Sequence, residues 1–309
     1  MLGKIFYWLL SMSIISALAG GVLLLLRRVR RIPRRIISLL WLIPLLRMWI
    51  PFGIGSKYGL MAVVSKLYTR SITVALPKEF PYPSPELVSM NMMGLAQDYE
   101  PFEYKTPLLE KVFECAAIVW IVVAAALTLA FFIIYAITLH ELRDARHLRE
   151  NIYVSGKLTS PALYGILRPR IIIPEGMSGD DLTFILLHEQ SHRRRGDNFW
   201  RMLAFVSAAL HWFNPLVWVF LRYALADIEL ACDERVLRTC GQERKKDYAR
   251  ALVDASFASS VFVSAFGGAG LRVRIENILS YKKLSRLSII AFDLLAFAIA
   301  YVLLTNAIK

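Results

Sequence analysis

Residues 199–226 read FWRMLAFVSAALHWFNPLVWVFLRYALA, and hydropathy alone makes them a membrane span. Asn214-Pro215 divides the run into two pieces of roughly 12 residues, each too short to cross about 30 Å of hydrocarbon. The stretch is therefore expected to dip in and return, or to lie in the interface, as a broken apolar hairpin. Its flanks make the choice matter. Upstream stands His188-Glu189-Gln190-Ser191-His192, and downstream Glu229-Leu230-Ala231-Cys232-Asp233. One full crossing would separate these groups across a membrane, whereas a returning hairpin keeps them on one side.

The rest of the chain is apolar enough to raise that question. Hydrophobic residues are 57% and charged ones 20% of 309 residues, beyond the roughly 45–50% apolar share of soluble domains. This composition excludes intrinsic disorder. Three cysteines, Cys115, Cys232 and Cys240, exclude a disulfide scaffold. Four apolar segments, 6–26, 36–52, 112–139 and 287–308, are expected to span. The second is the shortest and is interrupted by Pro44 and by Arg47, which is expected to snorkel or to face a protein interior. Lys4, an apolar run and Ala17-Leu18-Ala19 outline a cleaved signal peptide, but the run continues through 22–26 and argues against it.

The formal charge of +13 invites a nucleic-acid partner, yet its positions point elsewhere. Arg27, Arg28, Arg30, Arg31, Arg34 and Arg35 follow the first span at once. Residues 140–288 hold 22 basic and 16 acidic side chains, a net of +6, while 53–107 hold five of each. If four spans alternate, both basic regions share one side: the positive-inside pattern, with both termini outside. The expected fold is thus a mainly α polytopic membrane protein. Residues 1–52 carry two transmembrane helices and the basic cytoplasmic loop 27–35. An extracellular loop follows at 53–107, marked by Pro77, Pro81, Pro83 and Pro85. The third helix occupies 108–139, and a cytoplasmic α+β domain at 140–286 carries the 199–226 hairpin. The fourth helix is 287–309. Membrane lipid is the expected surrounding, and no direct nucleic-acid binding is expected.

H-E-x-x-H at 188–192 follows a helix-compatible apolar run that begins after Asp180-Asp181, acids suited to a helix N-terminus. Positions four apart share a helical face, so His188 and His192 can offer two imidazoles to one Zn²⁺. Glu189 is placed to take a proton from the attacking water. Two of the chain's five histidines standing in this frame argue against a pair that merely packs. A catalytic zinc needs a third protein ligand. Glu229 and Asp233 are again four apart: one carboxylate can reach the metal while the other supports a ligand histidine from behind. Cys232 is a rival ligand, off the Glu229 face, and its plainer reading is a buried reduced thiol. An oxyanion donor is also required. His211, Tyr248 and Arg201 are the candidates, and nothing in the sequence selects among them. Residues 163–174 read as a β element bounded by Gly and Pro. Within it Gly165, Ile166, Leu167 and Arg168 are the expected strand edge for a docking peptide. Residues 264–270 are an accessible segment for self-cleavage.

Together these elements resemble the BlaR/MecR family of bacterial membrane metallopeptidases. The resemblance is carried by H-E-x-x-H at 188–192, HWFNPLVW at 211–218, ELACD at 229–233, YGILRPRIIIP at 164–174 and WLIPLLRMWIP at 41–51. It extends roughly from the second span to the fourth. It implies a gluzincin-like zinc site with His188, His192 and Glu229 as ligands, Glu189 as general base and Asp233 as the following acidic position. In family members of the best-known type, an outer penicillin-binding domain follows the fourth span and signals to the zinc domain. That domain inactivates a cytoplasmic transcriptional repressor. Self-cleavage and a homodimer are further expectations. Here Lys309 follows the fourth span, so no such sensor is expected in this chain. Ser280-Tyr281-Lys282-Lys283 matches the sensors' S-x-x-K but lies on the cytoplasmic side without a Lys-Thr-Gly companion, and is read as coincidence.

Two other readings share these residues. Housekeeping membrane proteases of the HtpX or CAAX-processing type also pair H-E-x-x-H with a later E-x-x-x-D; the 214–218 phrase and the 53–107 loop argue against them. A non-catalytic signalling scaffold would not need a complete ligand set with Glu189 intact. The expected setting is the bacterial cytoplasmic membrane, crossed several times, with the zinc domain facing the cytoplasm.

Overall fold

A computed structural model describes residues 2–29, 31–50, 54–63, 107–158, 160–176, 179–256 and 269–307. Most of the loop expected at 53–107 lies outside them, as does most of 264–270. The chain begins with α1 (Leu2–Arg27), α2 (Arg34–Leu40), α3 (Leu42–Trp49), a short β1 (Gly55–Ser56) and α4 (Pro107–Glu141). Four strands follow: β2 (Arg146–Arg149), β3 (Ile152–Ser155), β4 (Ala162–Tyr164) and β5 (Arg170–Pro174). Then come α5 (Gly179–Arg195), α6 (Asp197–Leu210), α7 (Pro215–Cys240), α8 (Lys245–Ser256), α9 (Leu271–Ser280) and α10 (Arg286–Leu304), closing with β6 (Asn306–Ala307).

Three of these helices hold segments long and apolar enough to cross a membrane: Ile5–Arg27, Lys111–His140 and Arg286–Leu304. The second expected span, 36–52, is built differently. Pro44 has no N–H to give the carbonyl of residue 40, and its ring crowds that carbonyl. The helix accordingly breaks at Trp41 into α2 and α3, of 7 and 8 residues. Both are packed inside the bundle, with Ile36, Ile37, Leu40, Trp41 and Ile43 buried against α1, α7 and α10. Arg47 is buried as well, and it faces protein. Its guanidinium donates to the carbonyl oxygens of Leu303 (3.1 Å) and Thr305 (3.0 Å) and to Oδ1 of Asn306 (2.7 Å). The two carbonyls lie at the C-terminus of α10, where helix acceptors lack intrahelical partners and the dipole favours a cation. One hydrogen bond to a charged group contributes about 1.5–3 kcal/mol. Arg47→Met should therefore lower stability by at least that much, read as an earlier unfolding midpoint in mild detergent.

α6 and α7 form the broken hairpin. Asn214 accepts from the Leu216 N–H (3.0 Å) and Pro215 occupies the first helical position, so α7 restarts cleanly after the turn. The second limb is far longer than the roughly 12 residues expected, because α7 runs unbroken to Cys240. At the tip, Asn214 Nδ2 donates to Ser13 Oγ (2.8 Å) and Trp120 Nε1 to the Leu210 carbonyl (2.6 Å). At the other end, Arg27 Nε donates to Oδ2 of Asp227 (2.8 Å), which also accepts from Trp41 Nε1 (2.9 Å). From residue 13 to 27 on α1, and from 214 to 227 on α7, is about 20 Å of helix rise in the same direction. Between these ends a Cβ at Gly20 would collide with the Phe220 ring, so the two helices approach as closely as only glycine permits. Glu229 thus returns to the Arg27 end.

The sheet has the order β2-β3-β5-β4, with β3 and β5 parallel and the outer pairs antiparallel. β5 buries Ile171, Ile172 and Ile173, and α5 lies on it through Leu182 and Leu186. The other face of α5 packs Phe184 and Leu187 against α7, α8 and α9. Gly196, at φ +66, lets the chain turn from α5 into α6 within one residue. α5 is thereby clamped between the sheet and the start of the hairpin.

Candidate metal centre

On α5 the imidazoles of His188 and His192 stand one turn apart, with their Nε2 atoms 3.1 Å from each other. α7 brings Glu229 to them: Oε2 is 3.4 Å from Nε2 of His188 and Oε1 is 3.6 Å from Nε2 of His192. Bonds of 2.0–2.1 Å at tetrahedral angles put the donors of one zinc roughly 3.3 Å apart. These three gaps fit a single ion of that kind, and the three donors all lie within 4.8 Å of one another.

Each imidazole is also held from behind. His192 Nδ1 is 2.7 Å from Oδ2 of Asp197, the first residue of α6. His188 Nδ1 is 3.2 Å from Oδ1 of Asp233 and 3.1 Å from the Tyr248 hydroxyl. A carboxylate at Nδ1 fixes the tautomer that leaves Nε2 free for a metal. Asp233 is in turn held by Tyr248, whose hydroxyl donates to Oδ1 (2.6 Å), and by Arg274 from α9, with Nε to Oδ2 (2.9 Å) and Nη2 to Oδ1 (2.6 Å). Arg201 of α6 donates to Glu229 Oε1 (2.5 Å), and Arg274 Nη1 lies 3.4 Å from Oε2.

The electrostatics follow from these neighbours. Burial opposes the charge on Asp233, but the Arg274 guanidinium outweighs it and holds the carboxyl well below the usual carboxylate range. Glu229 is likewise held well below, burial being overcome by His192 and Arg274. For His188, burial and Arg274 work against protonation, yet its bonds to Asp233 and Glu229 leave the pKa raised. Acid and metal therefore compete for the same nitrogen. Asp197→Asn removes the charge that orients His192, and metal affinity should fall about 10–100-fold in competition with a chelator.

The family model described as BlaR1 peptidase M56 matches residues 7–278. The chain belongs to this family. Membership implies a metal-dependent peptidase, in keeping with the donor set on α5 and α7. The regulatory protein BlaR1 of Bacillus licheniformis is 28% identical over 162 residues, 48% of this chain and 27% of that protein. The methicillin resistance mecR1 protein of Staphylococcus aureus is 26% identical over 117 residues, 37% of this chain and 20% of that protein. The matched stretches span about a quarter of these relatives' length.

In this M56 chain the remaining expected residues fall in different places. Glu189 is buried on α5, next to His188 in the chain. Cys232 lies on the Nδ1 side of His192, with Sγ 3.2 Å from that nitrogen and donating to Asp197 (3.4 Å). Burial pushes its thiol pKa up, so it stands as a neutral donor behind the His192 ring, away from Nε2. Tyr248 is fully buried behind His188, whereas Arg201 keeps a third of its side chain exposed beside Glu229. His211 is at the hairpin tip, about 20 Å of helix rise from Asp197, and is not brought to the centre. The strand edge needs a correction. Residues 165–168 form a turn, because Gly165 takes φ +93 and Pro169 follows it closely. The edge strand next to this segment is β4 at Ala162–Tyr164. Its Leu163 carbonyl and that of Gly165 accept from Asn198 Nδ2 at 3.0 and 2.9 Å.

Asp197 and Arg274 were not anticipated. Asp197 lies five residues after His192, a spacing with a chemical rationale once a glycine turn intervenes. Arg274 is one of 37 Lys and Arg residues and carries no signal of its own.

Proposed function

We propose that this chain is an integral-membrane, zinc-dependent endopeptidase of regulatory type, which cleaves a cytoplasmic transcriptional repressor, itself, or both. The observation that carries the reading is the convergence of His188, His192 and Glu229 beside Glu189. The regulatory names of the relatives support the signalling role. In the membrane, α1, the α2–α3 pair, α4 and α10 are the four spans, and the α6–α7 hairpin re-enters. Arg35 pairs with Asp293 before the midpoint of α10 (2.7 Å) while Arg47 binds carbonyls at its C-terminal end. The α2–α3 pair therefore runs alongside α10 from the arginine-rich end to the far end, which supports a fourth crossing.

A zinc ion held by His188, His192 and Glu229 would supply Lewis acidity toward the scissile carbonyl. Glu189 takes the proton from the attacking water and passes it to the leaving amine. Asp197 and Asp233 hold the two imidazoles in their working tautomer. Arg201 is the assigned oxyanion donor, since it is partly exposed at the centre while Tyr248 is sealed behind a ligand and His211 is remote. An extended substrate adds along β4, replacing the bonds that Asn198 makes to Leu163 and Gly165.

Co-expression with repressor-type DNA-binding proteins of the same organism tests the reading. Cleavage by the wild type that is absent with Glu189→Gln supports it; equal cleavage by both overturns it.

A further inference from the structure

Outside the metal centre, a cavity of about 690 Å³ opens where the basic segment after α1 meets α7, α9 and the start of α10. Seven cationic side chains line it, against one carboxylate. Two of the cations are already matched: Arg35 pairs with Asp293 (2.7 Å) and Arg195 with Asp197 (3.2 Å). The carboxylate, Glu234, is taken too, accepting from the backbone N–H groups of Arg34 (3.0 Å) and Arg35 (3.3 Å) at the start of α2. The other five, Arg31, Arg235, Arg238, Lys282 and Lys283, form no ion pair among the described residues. Five like charges converging on one cavity repel one another, and an anion in their midst removes that cost. A further donor faces the same space. Asn277 Nδ2 is buried without a hydrogen-bond partner among the described residues, and Asn277 lines the cavity.

The position of the cavity selects the anion. Ile289 and Phe292, in the first two turns of α10, and Leu39 of α2 form its apolar wall. On the opposite face of α10, Leu287, Ile290, Leu294 and Phe297 form an exposed stripe at helical spacing. The first turns of α10 thus lie at a membrane boundary, with cations on one side of the cavity and an apolar wall on the other. Basic pockets between membrane helices on the cytoplasmic side suit anionic lipid headgroups.

We propose that this cavity binds the headgroup of an anionic phospholipid, its phosphodiester among Arg235, Arg238, Lys282 and Lys283 and its acyl chains leaving past Leu39 and Phe292. The inference uses α10 as a membrane helix and is independent of the peptidase reading.

The test places the whole chain in nanodiscs of phosphatidylcholine with or without phosphatidylglycerol, and counts retained lipid by native mass spectrometry. Wild type should retain phosphatidylglycerol in preference to phosphatidylcholine. Arg235→Gln/Lys282→Gln/Lys283→Gln should lose more than about tenfold of that preference. Arg143→Gln/Arg146→Gln/Arg149→Gln, which removes three exposed cations outside the cavity, should keep it. An equal loss in both triple variants would mean general surface attraction and overturn the proposal. So would binding of inorganic phosphate or of a polyglutamate peptide to the cavity in pure phosphatidylcholine discs without selective phosphatidylglycerol retention. A photoreactive phosphatidylglycerol requires no variant to fold. Crosslinks on wild type within 231–238 or 280–284 support the site, and crosslinks confined to other segments refute it.

Discussion

Glu189→Gln should lower proteolysis by about 10²–10⁴-fold, the usual worth of a positioned general base, and leave metal content unchanged. The substitution keeps the size and shape of the side chain and removes only its capacity to accept a proton. Glu189 contributes no donor to the group formed by His188, His192 and Glu229, so those ligands remain as they are. His188→Ala is the necessary contrast. It deletes a donor and also leaves Asp233, Tyr248 and Arg274 facing a void, so metal content and cleavage should fall together. The two readouts are metal analysis of purified protein and cleavage of a repressor substrate in membranes. A Glu189→Gln protein that still cleaves at the wild-type rate would remove this residue from the chemistry. One that loses its metal would make Glu189 a structural residue.

The parts of the site legible in the sequence were those that depend on a single helix. Four-residue spacing alone puts the His188 and His192 imidazoles on one face, and their Nε2 atoms do meet at 3.1 Å. Glu229 required one inference more, that Asn214-Pro215 turns the chain so that both flanks of an apolar run meet again. Glu229 does stand at the two imidazoles. What could not be read depends on close approaches between distant elements. Asp197 reaches His192 only because Gly196 adopts a left-handed backbone. Arg274 arrives from a helix more than 80 residues after His188 in the chain, with nothing local to mark it. The bounding Gly and Pro make 165–168 part of an expected β element. A glycine at φ +93 outweighed that pattern and moved the strand three residues earlier. Sequence alone leaves Arg47 two environments, water or protein, and the carbonyls at the end of α10 provide the second.

Arg274→Met should cost about 3–5 kcal/mol, because it leaves Asp233 charged and fully buried without its main partner. Removing one member of such a pair is far worse than removing both, so Asp233→Asn/Arg274→Met should recover part of the loss. That coupling, read from a double-mutant cycle, separates the ion pair from mere packing. The pH dependence has a definite sign. Asp233 has a folded pKa depressed by Arg274, so its contribution is complete above the unfolded value of about 3.9. It is lost as pH falls below that value toward the folded one. The gap in stability between wild type and Arg274→Met should accordingly be widest near neutral pH and narrow below about pH 4. Metal binding offers an independent readout, since Asp233 freed from Arg274 no longer holds the His188 ring at a fixed angle; affinity should drop by about 10–100-fold. A variant as stable as wild type, with unaltered metal affinity, would show that Arg274 neither buries the charge of Asp233 nor positions His188.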